Sequence, residues 1–237
     1  MGPHPEDEGV GRQAVSAVAA LADGSRRRMY EFIRSARRPV SREEVAAGVG
    51  ISRKLAAFHL EKLVEVGLLR ASFAPVGGIR RVGRTPKVYE PADADVRISI
   101  PARQPELLAE ILVDAVLAET EGATARTRAA EIARARGTAL GAAERARHRG
   151  RLGAERALTA LGGLLARSGF EPDRETATSL RLRNCPFQPL AGRAPELVCA
   201  LNHAFVTGLV EGLRATSVTP VLDPHPGECC VRVSAAG

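Results

Sequence analysis

The chain has 237 residues, 45% of them apolar, which is enough for a small binding module and a second domain of ordinary size without membrane support. Aromatics make up 3% and Trp is absent, so any core must be built from Leu, Val, Ile and Ala. The net charge of +7 excludes an acidic surface overall, and it is unevenly placed. Between Gly24 and Glu90 stand 15 basic and 6 acidic residues, whereas acidic residues exceed basic ones by two in the remainder. A local surplus of this kind is the footprint of a phosphate-backbone binder; a solvated Arg-rich face is the competing reading.

In chain order, residues 1–12 are polar with Pro and Gly and read as a disordered N-terminus. They contain no apolar h-region, and Met1-Gly2 lacks Ser or Thr at position 6, so neither a signal peptide nor a myristoyl anchor is expected. No run approaches the roughly eighteen apolar residues of a membrane span. The expected location is the cytoplasm, where the four Cys would be reduced thiols or metal ligands.

Ala14–Ala22 and Ser25–Ser35 read as helices, the second carrying Met29, Tyr30, Phe32 and Ile33 at helical spacing. Ser41-Arg42-Glu43-Glu44 is a capping box that opens a helix ending near Gly48 and Gly50. Ser52 caps a longer helix over Arg53–Val66, stopped by Gly67. Short helix, glycine-bearing turn and longer helix form the helix-turn-helix pattern. Leu68–Phe73 and Lys87–Glu90 read as strands on either side of a glycine-bearing loop, which makes a hairpin wing.

A linker over 91–103 contains Val96, Ile98 and Ile100 in alternation, which would suit a strand. Helices are expected over 104–119, 123–140 and 153–168, a half-buried strand over Ser179–Arg183 and an amphipathic helix over Pro195–Leu213. Closing strands are expected over Thr216–Leu222 and Cys229–Ser234.

In a helix-turn-helix the second helix lies in the major groove with its N-terminal residues near base edges. On a helical wheel Leu55, Ala56, His59, Leu63 and Val66 gather on one side, leaving Arg53 and Lys54 on the exposed side of the first turn. Arg pairs bidentately with guanine, Ser52 and the first-turn amides suit a phosphate, and Ala57 and Phe58 offer apolar contact to a thymine methyl. His59 falls in the apolar arc and reads as a packed histidine. Phe58 fits packing on a neighbouring helix equally well. The wing brings Arg80, Arg81, Arg84 and Lys87, suited to phosphates or the minor groove, against a solvated hairpin tip as the bland alternative.

The stretch Gly50-Ile51-Ser52-Arg53-Lys54-Leu55-Ala56-Ala57-Phe58-His59-Leu60-Glu61-Lys62-Leu63-Val64-Glu65-Val66-Gly67-Leu68-Leu69, followed by Gly83-Arg84-Thr85-Pro86-Lys87-Val88-Tyr89, resembles ArsR-type winged-helix regulators. More narrowly it is similar to regulators related to the SufR iron–sulfur repressors. Asn184-Cys185-Pro186-Phe187, Cys199 and Cys229-Cys230 resemble that subfamily's C-terminal region. The resemblance implies an iron–sulfur cluster held by cysteines, with Cys185 and Cys199 the leading ligands and Cys229 or Cys230 completing the set. The spacing is longer than a compact cysteine series. Cys199 and His203 stand four apart and share a helix face, whereas Cys229 and Cys230 would point to opposite faces of a regular strand. Thiolate-rich sets select iron–sulfur clusters or, as second choice, zinc; buried structural cysteines with no cofactor are the competing reading.

The expectation is therefore an α+β protein. A winged helix-turn-helix domain spans 13–90, a linker 91–103, a helical dimerisation region 104–168 and a small cysteine-containing α/β sensor domain 169–237. As a whole it reads as a regulator that binds double-stranded DNA as a homodimer. A small-molecule-responsive regulator with structural cysteines is the first alternative. An enzyme with a winged-helix appendage is the second, and the sequence offers no glycine-rich nucleotide loop after a strand and no HExxH to support it.

Overall fold

The computed structural model describes residues 5–74, 85–93 and 95–236, and divides into two compact units, Met1–Ile98 and Ser99–Gly237. In the first unit the order is α1 (Pro5–Ala22), α2 (Gly24–Ala36), β1 (Val40–Ser41), α3 (Arg42–Val49), α4 (Arg53–Glu65), β2 (Leu69–Phe73) and β3 (Lys87–Pro91). Helix α1 begins at Pro5, inside the stretch expected to lack structure, so it is longer than the predicted Ala14–Ala22. Asp23 separates it from α2 and caps the latter, accepting hydrogen bonds from the amides of Ser25 (3.0 Å) and Arg26 (2.9 Å).

The predicted capping box opens α3. Ser41 Oγ accepts from the Glu44 amide at 3.3 Å, and Glu44 Oε2 accepts from the Ser41 amide at 2.8 Å. Gly50 ends α3 at φ 72°, a left-handed conformation that costs glycine little. Strand β1 escapes sequence reading because two residues give no period. It pairs antiparallel with β3, Val40 opposite Tyr89, and β3 pairs with β2 in the order β1-β3-β2. Met29, Ile33, Val45, Ala56, Leu60, Leu63, Leu69 and Tyr89 form the core beneath this sheet. Residues Val96, Ile98 and Ile100, expected to alternate as a strand, form none; Ile100 is 91% exposed.

The second unit runs α5 (Pro105–Leu117), α6 (Ala125–Arg145), α7 (Ala154–Arg167), β4 (Pro172–Thr176), β5 (Ser179–Leu182), α8 (Leu190–Arg193), α9 (Pro195–Gly212), β6 (Val218–Leu222) and β7 (Val231–Ala235). The sheet is antiparallel in the order β4-β5-β7-β6. The segments read as a helical region and a sensor domain share one core, from Leu108 and Ile111 through Leu161 and Leu165 to Phe205, Leu209 and Val233.

Helices α6 and α9 meet backbone to backbone. A Cβ placed on Gly137 would lie 2.1 Å from the Phe205 carbonyl oxygen, and one on Gly208 would lie 2.0 Å from that of Arg134. Gly141 and Gly212 repeat this closeness one turn along. The glycine face of α6 is thus spent on α9. Helix α5, by contrast, leaves Val113, Val116 and Leu117 exposed. Strand β5 is buried along its whole length, not on one face as predicted, because it lies inside the sheet and because Arg181 finds ionic partners there. Among the described residues no helix is long and apolar enough to cross a membrane.

Candidate nucleic-acid interface and thiol site

Helix α4 is held by one side. Ala56, His59, Leu60 and Leu63 are buried against the core, and Arg53, Lys54, Phe58, Glu61, Lys62 and Glu65 are exposed. The buried arc sits one position further along than the wheel suggested, so Leu55 is 42% exposed rather than packed. Ser52 caps the helix through Oγ, which accepts from the Leu55 amide at 3.2 Å. Its hydroxyl oxygen is therefore committed to the helix start as well as standing where a phosphate would approach.

Arg53 and Lys54 project from the first turn and make no hydrogen bond or salt bridge with the described residues. Ala57 is half-buried beside them. Phe58 is 57% exposed, which decides against its packing onto a neighbouring helix, and its ring meets His59 edge-on at 5.4 Å between centroids. His59 is buried, as its wheel position indicated.

Of the wing cations, Arg80, Arg81 and Arg84 lie outside the described residues. Lys87 begins β3, and its Nζ pairs with Glu61 Oε1 at 2.6 Å. The Tyr89 hydroxyl donates to the same oxygen at 2.9 Å. The hydrogen bond from Lys87 leads in holding the Glu61 carboxyl below its usual range. Burial, with the Glu61 carboxylate beside it, raises the Tyr89 phenol. Glu61 thus ties the exposed helix to the hairpin, a role that sequence reading missed. An acidic residue on a basic face was the available signal.

The second unit gathers three of the four cysteines. Cys185 follows β5, and Cys229 and Cys230 precede β7 in irregular backbone rather than within a strand, as had been expected. Both are buried there. Cys185 and Cys229 act on each other as neighbouring buried thiols, and Cys230 acts on Cys229. Asn202 on α9, fully buried, donates from Nδ2 to Cys229 Sγ at 3.1 Å and reaches Cys185 Sγ at 3.9 Å. Its Oδ1 has no partner among the described residues. Asn202 was also missed, although a polar residue inside the apolar arc of a helix is a signal for a buried hydrogen-bonding task.

The neighbouring Cys229 thiol, and burial after it, raise the Cys185 thiol well above its ordinary value. Cys185 pulls Cys229 down, but Cys230 and burial outweigh that and push it up to about 12. Cys199 is half-buried at the core's edge. The His203 ring engages the Pro220 carbonyl oxygen at 3.3 Å. The five candidate ligands therefore separate into three buried thiols, Cys185, Cys229 and Cys230, and two residues, Cys199 and His203, with other surroundings. By donor chemistry the trio suits a thiophilic metal or an iron–sulfur cluster. By placement, among the described residues no group of three or more His, Cys, Asp or Glu side chains is disposed to hold a metal ion.

Arg181, on β5, is 6% exposed. It pairs with Asp223 Oδ2 at 2.7 Å and approaches Glu228 at 3.6 Å and Glu175 at 3.8 Å. These bonds clamp the β6–β7 connection that delivers Cys229 and Cys230.

Residues 21–70 match the family model of a helix-turn-helix domain, which covers α2 through α4 and the start of β2. Neither curated proteins nor solved structures gave a match. The chain is a mixed helix-and-sheet protein that carries a helix-turn-helix domain in its N-terminal unit.

Proposed function

We propose that the chain is a sequence-specific regulator of transcription that binds double-stranded DNA as a homodimer. The observation that carries this reading is the α3-turn-α4 unit, matched as a helix-turn-helix domain, with Arg53 and Lys54 exposed on the first turn of α4 and making no hydrogen bond or salt bridge among the described residues. On this reading Arg53, Lys54, Ala57 and Phe58 face base edges. Ser52 lies at the phosphate backbone, and Arg80, Arg81, Arg84 and Lys87 supply the wing's cations. The ArsR-type, SufR-like resemblance belongs to this proposal, as does a cytoplasmic location.

Two-fold DNA sites call for paired readers. The exposed Val113, Val116 and Leu117 of α5 offer a self-complementary apolar stripe for that pairing. The second unit receives the signal at Cys185, Cys229 and Cys230, with an iron–sulfur cluster as first choice and zinc as second. Buried soft donors and an amide N–H directed at sulfur support this. When bound, such a group supplies redox sensitivity or structural closure. The chain's own residues supply the thiolates, the Asn202 N–H and the exclusion of water. Binding requires the thiols to give up their protons.

The burial of these thiols within the apolar core favours the second reading, a small-molecule-responsive regulator whose cysteines are structural. Anaerobic reconstitution with iron and sulfide, and separately with zinc, decides between the two. Stoichiometric uptake that is lost in Cys229→Ala supports the cofactor; no uptake of either supports structural cysteines.

A further inference from the structure

Helix α4 carries one feature at odds with a phosphate-binding face. Glu61 stands on its exposed side, in line with Arg53 and Ala57 at four-residue steps, and its side chain is 54% exposed. A carboxylate facing a polyanion is repelled by it, so its presence there needs a compensating role.

The geometry supplies one. Lys87 Nζ at 2.6 Å and the Tyr89 hydroxyl at 2.9 Å both bond Oε1. Oε2 has no hydrogen-bond partner among the described residues. Tyr89 is itself 2% exposed and fixed in β3 between β1 and β2, so the tether is rigid at one end. Lys87 neutralises the carboxylate's charge without occupying its second oxygen. The result is an oriented acceptor, held to the sheet, on the helix face that the proposed function turns to the bases.

We infer that Glu61 is a specificity-determining residue, whose Oε2, unbonded among the described residues, accepts a hydrogen bond from the N4 amino group of a cytosine in the major groove. This rests on the duplex-binding reading above. The base follows from chemistry. An ionised carboxylate only accepts; the major-groove edges of guanine and thymine present only acceptors to it, and adenine sets its N7 acceptor beside its N6 donor. Cytosine presents a donor alone. Glu61 lies eight residues from Arg53, about 12 Å along the helix axis, which spans three to four base steps. Arg53 and Glu61 therefore read different positions of one half-site.

The test begins with selection of a preferred duplex by the full-length wild-type chain from a random pool. Binding is then measured against that duplex and every single-base-pair variant of it, for wild type, Glu61→Gln, Glu61→Ala and Tyr89→Phe. At one C·G position the wild type should discriminate by roughly tenfold or more, as a charge-assisted hydrogen bond provides. Glu61→Ala should lose discrimination there alone. Glu61→Gln, which folds without loss of volume, should shift that position towards A·T, because an amide both donates and accepts. Tyr89→Phe, with one tether gone, should weaken the same preference in part.

If both Glu61 variants keep every base preference of the wild type, the inference is overturned. This holds even if they bind all duplexes more tightly with a steeper salt dependence, since that outcome would make Glu61 only a shield for Lys87. If the wild type selects no duplex at all, the DNA-binding reading itself fails.

Discussion

Replacing Gly208 by Ala tests the backbone-to-backbone contact of α6 with α9. The new Cβ would lie 2.0 Å from the Arg134 carbonyl oxygen and 2.8 Å from the Thr138 amide, both backbone atoms of α6. Ordinary contact begins at 3.4 Å, so the helices must separate by more than about 1 Å. Neither clashing atom can rotate away. The Arg134–Glu211 ion pair, with one bond at 2.8 Å, bridges the same seam and would be stretched with it. Alanine favours a helix over glycine by about 1 kcal/mol, but overpacking that no side chain can relieve costs about 3 kcal/mol or more. The net loss should be about 2 kcal/mol. Gly163→Ala in α7 is the matched control: its nearest neighbour is the end of the Arg167 side chain at 3.5 Å, so it should gain up to about 1 kcal/mol. Urea unfolding followed by far-ultraviolet circular dichroism reads both. At an m-value near 2 kcal/mol/M, the Gly208→Ala midpoint should fall by about 1 M. A Gly208→Ala chain as stable as wild type, at unchanged m, would refute the backbone-contact account of this core.

Three further outcomes are expected. Ser41→Ala removes the hydroxyl half of the capping box and should cost about 1 kcal/mol in the same assay; no change would mean that β1 pairing alone fixes the start of α3. Folding lifts the Cys185 and Cys229 thiols above their unfolded value near pH 8.5, so the folded chain keeps protons that the unfolded chain has lost. Their contribution is then complete below about pH 8.5 and is lost as pH rises towards the folded value, at up to about 1.4 kcal/mol per pH unit for each thiol. Cys229→Ala should flatten that alkaline decline in urea midpoints from pH 8 to 10, and an unchanged decline would contradict the thiol pairing. Val116→Glu on α5 should convert a dimer to a monomer in sedimentation velocity, whereas a variant that sediments as wild type does would rule out the α5 stripe as the dimer face.

Local chemistry was legible in the sequence, and long-range placement was not. Ser41-x-x-Glu44 and Ser52 announce helix starts through hydrogen bonds within four residues, and both lie where they were expected. Apolar spacing likewise located α5, α7 and α9 to within a few residues. The two residues of β1 form a strand only because β3 returns beside them, and nothing local records that. Alternation over Ser179–Arg183 points to a half-buried strand, which would leave Arg181 on the face opposite Leu180 and Leu182. Partners more than forty residues away, Asp223 and Glu228, bury it instead. The same limit applies to the thiols. Cys185 meets Cys229 through sheet topology, and Asn202 joins them from α9, while Cys199 and His203, neighbours by helical spacing, are engaged elsewhere. On α4 the wheel gave the exposed cations correctly and misjudged only the edge of the arc at Leu55. It had no means of showing that Lys87 would be tied to Glu61 across the hairpin.

Whether the exposed face of α4 reads duplex DNA is measured by fluorescence-anisotropy binding of a pool-selected duplex at fixed salt. The wild type should bind that duplex at least about a thousandfold more tightly than random sequence. Arg53→Ala should lose roughly ten- to hundredfold on the selected duplex, with little change on random duplex and an unchanged thermal melt. A chain that selects no sequence, or an Arg53→Ala/Lys54→Ala double variant that binds the selected duplex as tightly as wild type, would contradict the account.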